Sequence, residues 1–247
     1  MKINWIFLMS MMLLSCQDEK ATFEEVPCVE TPDIPNSNRR LIFKPCRTFI
    51  YKARYWDHEY NLLSDELIQV DVSGRGWEYQ PDRQDEIVIQ YQYETEDIGR
   101  LQSYSLNPDL SYWTKKTTTG IIENEDRFWI HPFRSNQYDF TEVAPFPEVT
   151  FPLSIGKIWG GSLNIGEGWG VWGHSTVNHR YEVLAHEHVE IPFGVMTAWE
   201  VSSIATAPYG TSFHNFWFHE DYGFVKMTVN NYANQTLQFQ LIEVIDR

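Results

Sequence analysis

The sequence predicts a mainly β protein: a strongly curved antiparallel sheet, in the form of a half-barrel or open barrel, with little helix. Three observations predict it. Segments that alternate with period two, or that are rich in β-branched and aromatic residues, recur from residue 48 to the end. Short connections with Pro, Gly or Asn separate the last of them, which is turn chemistry. No segment keeps a sustained helical period, although residues 60–67 could hold a short helix.

The strand signal begins with residues 48–56, which are rich in aromatic and β-branched side chains. Residues 67–72 then alternate strictly, as expected of a strand with one buried face. The later segments follow one another through short turns, so we expect them to pair as sequential hairpins. The other predicted strands are 86–93, 127–130, 180–191, 195–205, 213–219, 223–229 and 236–245.

The N-terminus has the pattern of an export signal. Lys2 supplies a positive charge, and residues 5–14 are apolar except for Ser10. An apolar run of this length is too short for a membrane-spanning helix, which needs about 20 residues, but it fits the centre of a signal peptide. The run ends in Leu13-Leu14-Ser15-Cys16.

This ending resembles the lipobox of bacterial lipoproteins, which has an aliphatic residue, a small residue and an obligatory cysteine in these places. The resemblance implies a signal peptide over residues 1–15, removed on export, and acyl chains such as palmitate on Cys16. Several chains on one cysteine are enough for stable membrane attachment. An ordinary signal peptide with an incidental cysteine is the alternative.

Composition and charge describe the exported part. Residues 16–39 are acidic and proline-containing and predict a tether, and residues 40–247 predict a single antiparallel β domain. The chain has a formal net charge of −15, which argues against nucleic acid as a partner. Cys28 and Cys46 predict a disulfide in an oxidising compartment, with two free thiols as the alternative.

A second resemblance covers the later part of the chain. It is carried by Ile191-Pro192-Phe193-Gly194, by Phe216-Trp217-Phe218, and by the run from Asp221 to Lys226. Upstream, Trp129-Ile130-His131-Pro132-Phe133-Arg134 and Pro145-Phe146-Pro147 belong to the same pattern. The pattern is similar to that of uncharacterised Bacteroidetes exported lipoproteins, whose fold is similar to the lipoprotein-carrier superfamily. The resemblance implies a half-barrel whose concave face holds acyl chains, and it carries over no catalytic residues.

Tryptophan supplies the candidate ligand-binding residues. Trp159, Trp169 and Trp172 lie in a glycine-rich stretch, and Trp217 lies in a predicted strand. Flat aromatic faces suit stacking on sugar rings or lining an apolar groove. The alternative is that these side chains plug one end of the sheet.

Histidine and serine give weaker signals. His186 and His188 would lie on one face of a strand, where they could bind zinc or copper with a third ligand, or could be polar surface. We predict no metal and no other cofactor. The sequence lacks the Gly-x-Ser-x-Gly pattern of a nucleophile elbow, and we predict no enzymatic activity.

The function predicted from the sequence is that of a membrane-anchored lipoprotein. It would bind an apolar or glycan ligand, or a protein partner, on a curved sheet. The alternatives are a structural component of the cell envelope and, more weakly, a glycan-active enzyme. We expect attachment to the outer membrane. Because Asp18 and Glu19 follow the lipidated cysteine, exposure at the cell surface is an alternative to the periplasmic face.

Overall fold

The computed structural model of the protein describes residues 23–29, 41–110 and 112–247. The predicted signal peptide, Cys16 and most of the predicted tether lie outside these ranges. The described chain forms antiparallel strands in a nearly closed barrel, with 9% helix, which confirms the predicted fold class. None of its helices has the length and apolar character that a bilayer crossing requires.

The described strands form one sheet, in which each strand pairs antiparallel with its neighbours. The strands are β1 (Arg47–Trp56), β2 (Leu62–Gly76), β3 (Asp85–Tyr91), β4 (Lys116–Glu123), β5 (Arg127–Ile130), β6 (Glu148–Thr150), β7 (Ile158–Asn164), β8 (Thr176–Ile191), β9 (Gly194–Ala207), β10 (Gly210–His219), β11 (Gly223–Asn230) and β12 (Thr236–Asp246). The helical elements are α1 (Ile98–Gln102) and the 3₁₀ turns Thr95–Asp97, Asn136–Val143 and Gly170–Trp172.

The strand order is β6-β5-β4-β3-β2-β1-β12-β11-β10-β9-β8-β7. Strands β1 and β12, from the two ends of the sequence, pair at the centre of this order. Strands β8 to β12 pair as sequential hairpins, as predicted. The order leaves β6 and β7, which are neighbours in the sequence, as the two edges of the sheet.

Strand alternation sorts the side chains into an inner and an outer face. In β1, Phe49, Tyr51, Ala53 and Tyr55 are buried, whereas the residues between them are partly exposed. This is the period-two pattern of a strand with one face in the core.

The prediction of a short helix over residues 60–67 is wrong. Strand β2 begins at Leu62, and Ser64 pairs with Tyr55 of β1. Because β2 gains a hydrogen-bonded neighbour on each side, in β1 and β3, sheet pairing outweighs the local preference for helix.

A connecting segment fills the inside of the barrel. All residues of the 3₁₀ turn Asn136–Val143 are buried. The ring of Phe133 lies 5.3 Å from that of Tyr51 and 5.0 Å from that of Phe239. The cavity that remains beside Phe133 and His214 measures about 10 Å³. The concave face is therefore packed with the chain's own side chains and does not form the open groove that an acyl chain would need.

The predicted disulfide between Cys28 and Cys46 is confirmed, with Cα atoms 5.3 Å apart. It fastens residues 23–29 to the start of β1.

Replacing both cysteines by serine is expected to lower the free energy of unfolding by about 3 kcal/mol, because the bond closes a loop of 18 residues in the unfolded chain. Urea denaturation of the oxidised protein and the double variant measures the difference. A change below about 1 kcal/mol would contradict this estimate.

Candidate ligand-binding site

The gap between the two sheet edges contains the candidate site. β6 pairs with β5 and β7 with β8, while the Lys157 ammonium donates to the backbone oxygens of Thr150 and Pro152, at 2.8 and 2.9 Å. A cleft of about 420 Å³, here called the seam cleft, opens beside these edges. Its lining comprises Gln80, Arg83, Gln84, Ile122, Arg127, Trp129, His131, Glu142, Ala144, Phe146, Glu148, Ser162, Leu163, His179 and Tyr181.

Strand alternation places several of these side chains. Trp129 follows the buried Phe128 on β5, and Glu148 pairs with Trp129 across to β6. His179 and Tyr181 are two residues apart on β8 and therefore share a face. Side chains from the two ends of the sheet thus meet in one cleft.

Aromatic rings form much of the wall. The imidazole of His131 lies 4.5 Å from the ring of Trp129, 5.4 Å from that of Trp77 and 5.8 Å from that of Phe146. On the opposite side, Trp159 stacks on Tyr181 at 5.2 Å, with the planes 5° apart. Of these rings, Trp129, His131, Phe146 and Tyr181 line the cleft, so both ends of the sheet contribute aromatic side chains to it.

The charges that line the cleft balance. The lining includes Arg83, Arg127, Glu142 and Glu148, so it carries as many positive as negative side chains. Arg127 lies 3.6 Å from Glu148. Burial raises the pKa of Glu148, and Arg127 opposes that rise. A lining without net charge favours an uncharged ligand.

Burial favours the neutral form of both histidines of the cleft. Burial, helped by the Arg134 guanidinium, lowers the pKa of His131 to about 3. Burial also lowers the pKa of His179. A neutral imidazole has one donor and one acceptor nitrogen, which suits hydrogen bonding to a hydroxyl group.

Polar atoms in and beside the cleft lack hydrogen-bond partners within the described chain. They include Nδ1 of His131, Oε1 of Gln84 and Nε1 of Trp159. Gln84 is only 7% exposed, so its carbonyl oxygen is shielded from bulk water. An unsatisfied buried polar group costs about 1–3 kcal/mol. Because these atoms are shielded from the cleft by neighbouring side chains, a ligand with hydroxyl groups would pair with them only after a small shift of the wall.

The four tryptophans singled out in the sequence do not share one surface. Trp172 is fully buried and donates its indole N–H to the hydroxyl of Tyr232 at 2.9 Å. Trp169 is half-buried, with the Arg134 guanidinium 5.4 Å from its ring. Trp217 is partly exposed and carries the Lys226 ammonium 4.3 Å above its ring. Trp159 lies beside the seam cleft, and none of the four belongs to its lining.

The paired histidines lie elsewhere. His186 and His188 are exposed on β8, where His186 stacks on Trp199 at 4.1 Å and His188 contacts Thr197. Among the described residues, no group of three or more His, Cys, Asp or Glu side chains is arranged to hold a metal ion.

Trp129, His131 and Glu148 were not singled out from the sequence as candidate site residues. The first two were noted only as part of a family pattern. The alternation of these residues with apolar residues is visible in the sequence. However, nothing in a single sequence indicates that the two edges of a sheet meet.

Comparison with known proteins finds solved structures that resemble this chain only weakly, in both sequence identity and TM-score. No family model matches the sequence, and the search among curated proteins finds no match. A protein from Bacteroides fragilis, described as exported and of YmcC-like fold, is 11% identical, with 81% of this chain and 95% of that chain covered and a TM-score of 0.41.

Two further structures are similar over the same share of this chain. A protein from Parabacteroides distasonis, described as a lipoprotein, is 12% identical over 94% of its own length, with a TM-score of 0.45. The hypothetical lipoprotein YmcC from Escherichia coli is 8% identical over 86% of its own length, with a TM-score of 0.36. Values this low carry no inference about ligand, partner or compartment. None of the three is described as a lipoprotein carrier, so that resemblance stays a prediction.

Proposed function

We propose that the protein is a lipoprotein of the bacterial outer membrane, anchored through Cys16, that binds an uncharged glycan in the seam cleft. The anchor is supported by the apolar run of residues 5–14 and its ending at Ser15-Cys16. We assign binding and no chemical reaction.

The lining of the seam cleft is the main support for a glycan as the ligand. It combines aromatic faces, balanced charges and buried polar atoms without partners. A sugar ring has apolar faces for stacking and hydroxyl groups that donate and accept, so it complements all three features. An acyl chain would leave Gln84 and His131 unsatisfied, and the cavity inside the barrel beside Phe133 measures only about 10 Å³.

A panel of neutral glycans, screened by calorimetry against the folded domain, tests the proposal. We expect Trp129→Ala to weaken binding of a glycan hit by roughly 30-fold, the effect of removing an aromatic contact worth about 2 kcal/mol. Trp217→Ala is the matched control, because Trp217 lies outside the cleft lining and should leave affinity within about twofold.

Two outcomes would count against the glycan proposal. One is a panel without a hit. The other is a hit that Trp217→Ala weakens as much as Trp129→Ala does, since binding would then lie outside the seam cleft.

A second candidate function is docking of an envelope protein, and the position of β7 favours it. β7 is an edge strand of the described sheet, and Ile158 on it is 52% exposed. Free edges accept an extended segment of another protein as an added strand. Replacing Ile158, which lies outside the cleft lining, by lysine should weaken such pairing, because lysine on an edge strand opposes strand addition. Pull-down from envelope extracts compares the wild type with this variant, and equal capture by both would contradict this candidate.

A further inference from the structure

Residues 23–29, placed by the sequence within the flexible tether, pack against the outer face of the sheet. The amide of Glu24 donates to Oε1 of Gln90 at 2.9 Å, and Nε2 of Gln90 donates back to the oxygen of Glu24 at 2.8 Å. Gln90 lies on β3 and alternates with the core residues Ile89 and Tyr91. This pair of hydrogen bonds fixes the chain close to its first described residue.

Further contacts hold the rest of this segment. Val26 is buried, and the amide of Val29 donates to the oxygen of Ser73 on β2 at 2.8 Å. Gly74 has a φ of +74°, and a Cβ there would lie 2.0 Å from the oxygen of Val29. The disulfide between Cys28 and Cys46 adds a covalent bond. Residues 23–29 are therefore called the clamp.

We propose that the clamp shortens the tether, so that the lipid on Cys16 holds the outer surface of β2 and β3 next to the bilayer. This inference rests on the lipid anchor of the proposed function. Only residues 17–22 separate the lipidated cysteine from the clamp. Seven Cα–Cα steps reach at most about 25 Å even when fully extended. A tether that ran freely to residue 41 would reach about 85 Å.

The short reach has a functional consequence. The acidic domain has no general electrostatic attraction to anionic lipid, so the tether decides its distance from the membrane. The short tether therefore keeps the domain in a single layer of protein next to the bilayer.

Amide hydrogen exchange of the full-length lipidated protein tests the clamp itself. We expect the amides of Glu24 and Val29 to be protected in the wild type. Gln90→Ala should remove the protection of Glu24, and Gly74→Ala that of Val29. Gln240→Ala, on the outer face of β12, should change neither. Fast exchange of both amides in the wild type overturns the proposal.

Neutron reflectometry on a supported bilayer tests the reach. The near edge of the wild-type protein layer should lie within about 25 Å of the lipid headgroups. In Gln90→Ala the tether is free as far as the buried Val26, and the layer should spread outward to about 35 Å. A wild-type layer that begins beyond about 25 Å, or equal layers in both proteins, overturns the inference.

Mass spectrometry of the same samples tests lipidation of Cys16 independently of the clamp. Wild-type protein should carry the mass of acyl chains on Cys16, and Cys16→Ala should carry none and form no layer. Absence of lipid from the wild type overturns both the anchor and the short reach. Lipidated protein with an unprotected clamp overturns only the short reach.

Discussion

Replacing Phe133 by alanine is expected to lower the free energy of unfolding by about 3–5 kcal/mol. Phe133 is buried, and its ring packs between Tyr51 on β1 and Phe239 on β12. Loss of the ring leaves a cavity inside a barrel that is otherwise filled. Urea denaturation monitored by fluorescence measures the change.

The matched control is Phe213→Ala, because Phe213 is 50% exposed on β10. Surface substitutions of this kind change stability by about 0.5 kcal/mol or less. Equal effects of the two substitutions would show that residues 132–147 do not fill the barrel in solution.

Replacing Glu66 by glutamine is expected to flatten the pH dependence of stability between about pH 4.5 and 7. Glu66 accepts hydrogen bonds from Gln137 at 2.5 Å and from Tyr138 at 3.0 Å. Burial raises its pKa from 4.5 to about 7. The folded protein therefore holds a proton that the unfolded chain releases over this range.

The sign of the effect follows from proton binding. Because the folded state binds more protons, stability falls as pH rises from 4.5 to 7. A shift of this size corresponds to at most about 3 kcal/mol. Asp139, whose pKa burial also raises to about 7, acts in the same direction. His214, whose pKa burial lowers to about 4, acts in the opposite direction, because the unfolded chain takes up the proton first as pH falls.

Comparison of Glu66→Gln with the wild type isolates the one carboxyl from these other groups. The difference in unfolding free energy between pH 5 and pH 8 should change by about 2–3 kcal/mol, with stability at pH 8 raised relative to pH 5. Glu66 and Glu94 line one surface pocket, and Glu94→Gln, at an exposed position, is the control. Parallel curves for Glu66→Gln and the wild type would contradict the assignment.

Much of the fold could be predicted because its pairings are local. Strands β8 to β12 alternate clearly, and turns such as Pro192-Phe193 connect them. The pairing of β1 with β12 joins residues 47 and 246 and leaves no signal in one sequence. Period and turn chemistry describe neighbours along the chain, whereas closure of the sheet depends on its accumulated twist.

The filling of the barrel could not be predicted for a different reason. The turn Asn136–Val143 is buried, yet it includes Asp139 and Glu142, which are typical of exposed loops. Its 3₁₀ geometry follows neither the strand period nor the α-helical period. The segment is buried because aromatic residues such as Phe140 pack inside the barrel, with the ring of Tyr55 6.0 Å away.

The aromatic residues singled out from the sequence are not the ones that line the seam cleft. Aromatic side chains with glycan-binding character were expected, but Trp172 lies in the core and Trp217 lies outside the cleft. The seam cleft instead uses Trp129, which sits on a four-residue strand. Its partners His179 and Tyr181 come from the opposite edge of the sheet, and only the folded chain brings them together.

The central claim is that the seam cleft binds a glycan, and the indole N–H resonances of the tryptophans test it most directly. Nε1 of Trp159 has no hydrogen-bond partner among the described residues and lies beside the cleft, whereas Nε1 of Trp172 is bonded to Tyr232 inside the core. Titration of a glycan hit into ¹⁵N-labelled protein should shift the resonances of Trp129 and Trp159 and leave that of Trp172 unchanged. Saturable binding that shifts Trp217 while Trp129 and Trp159 stay in place would contradict the claim.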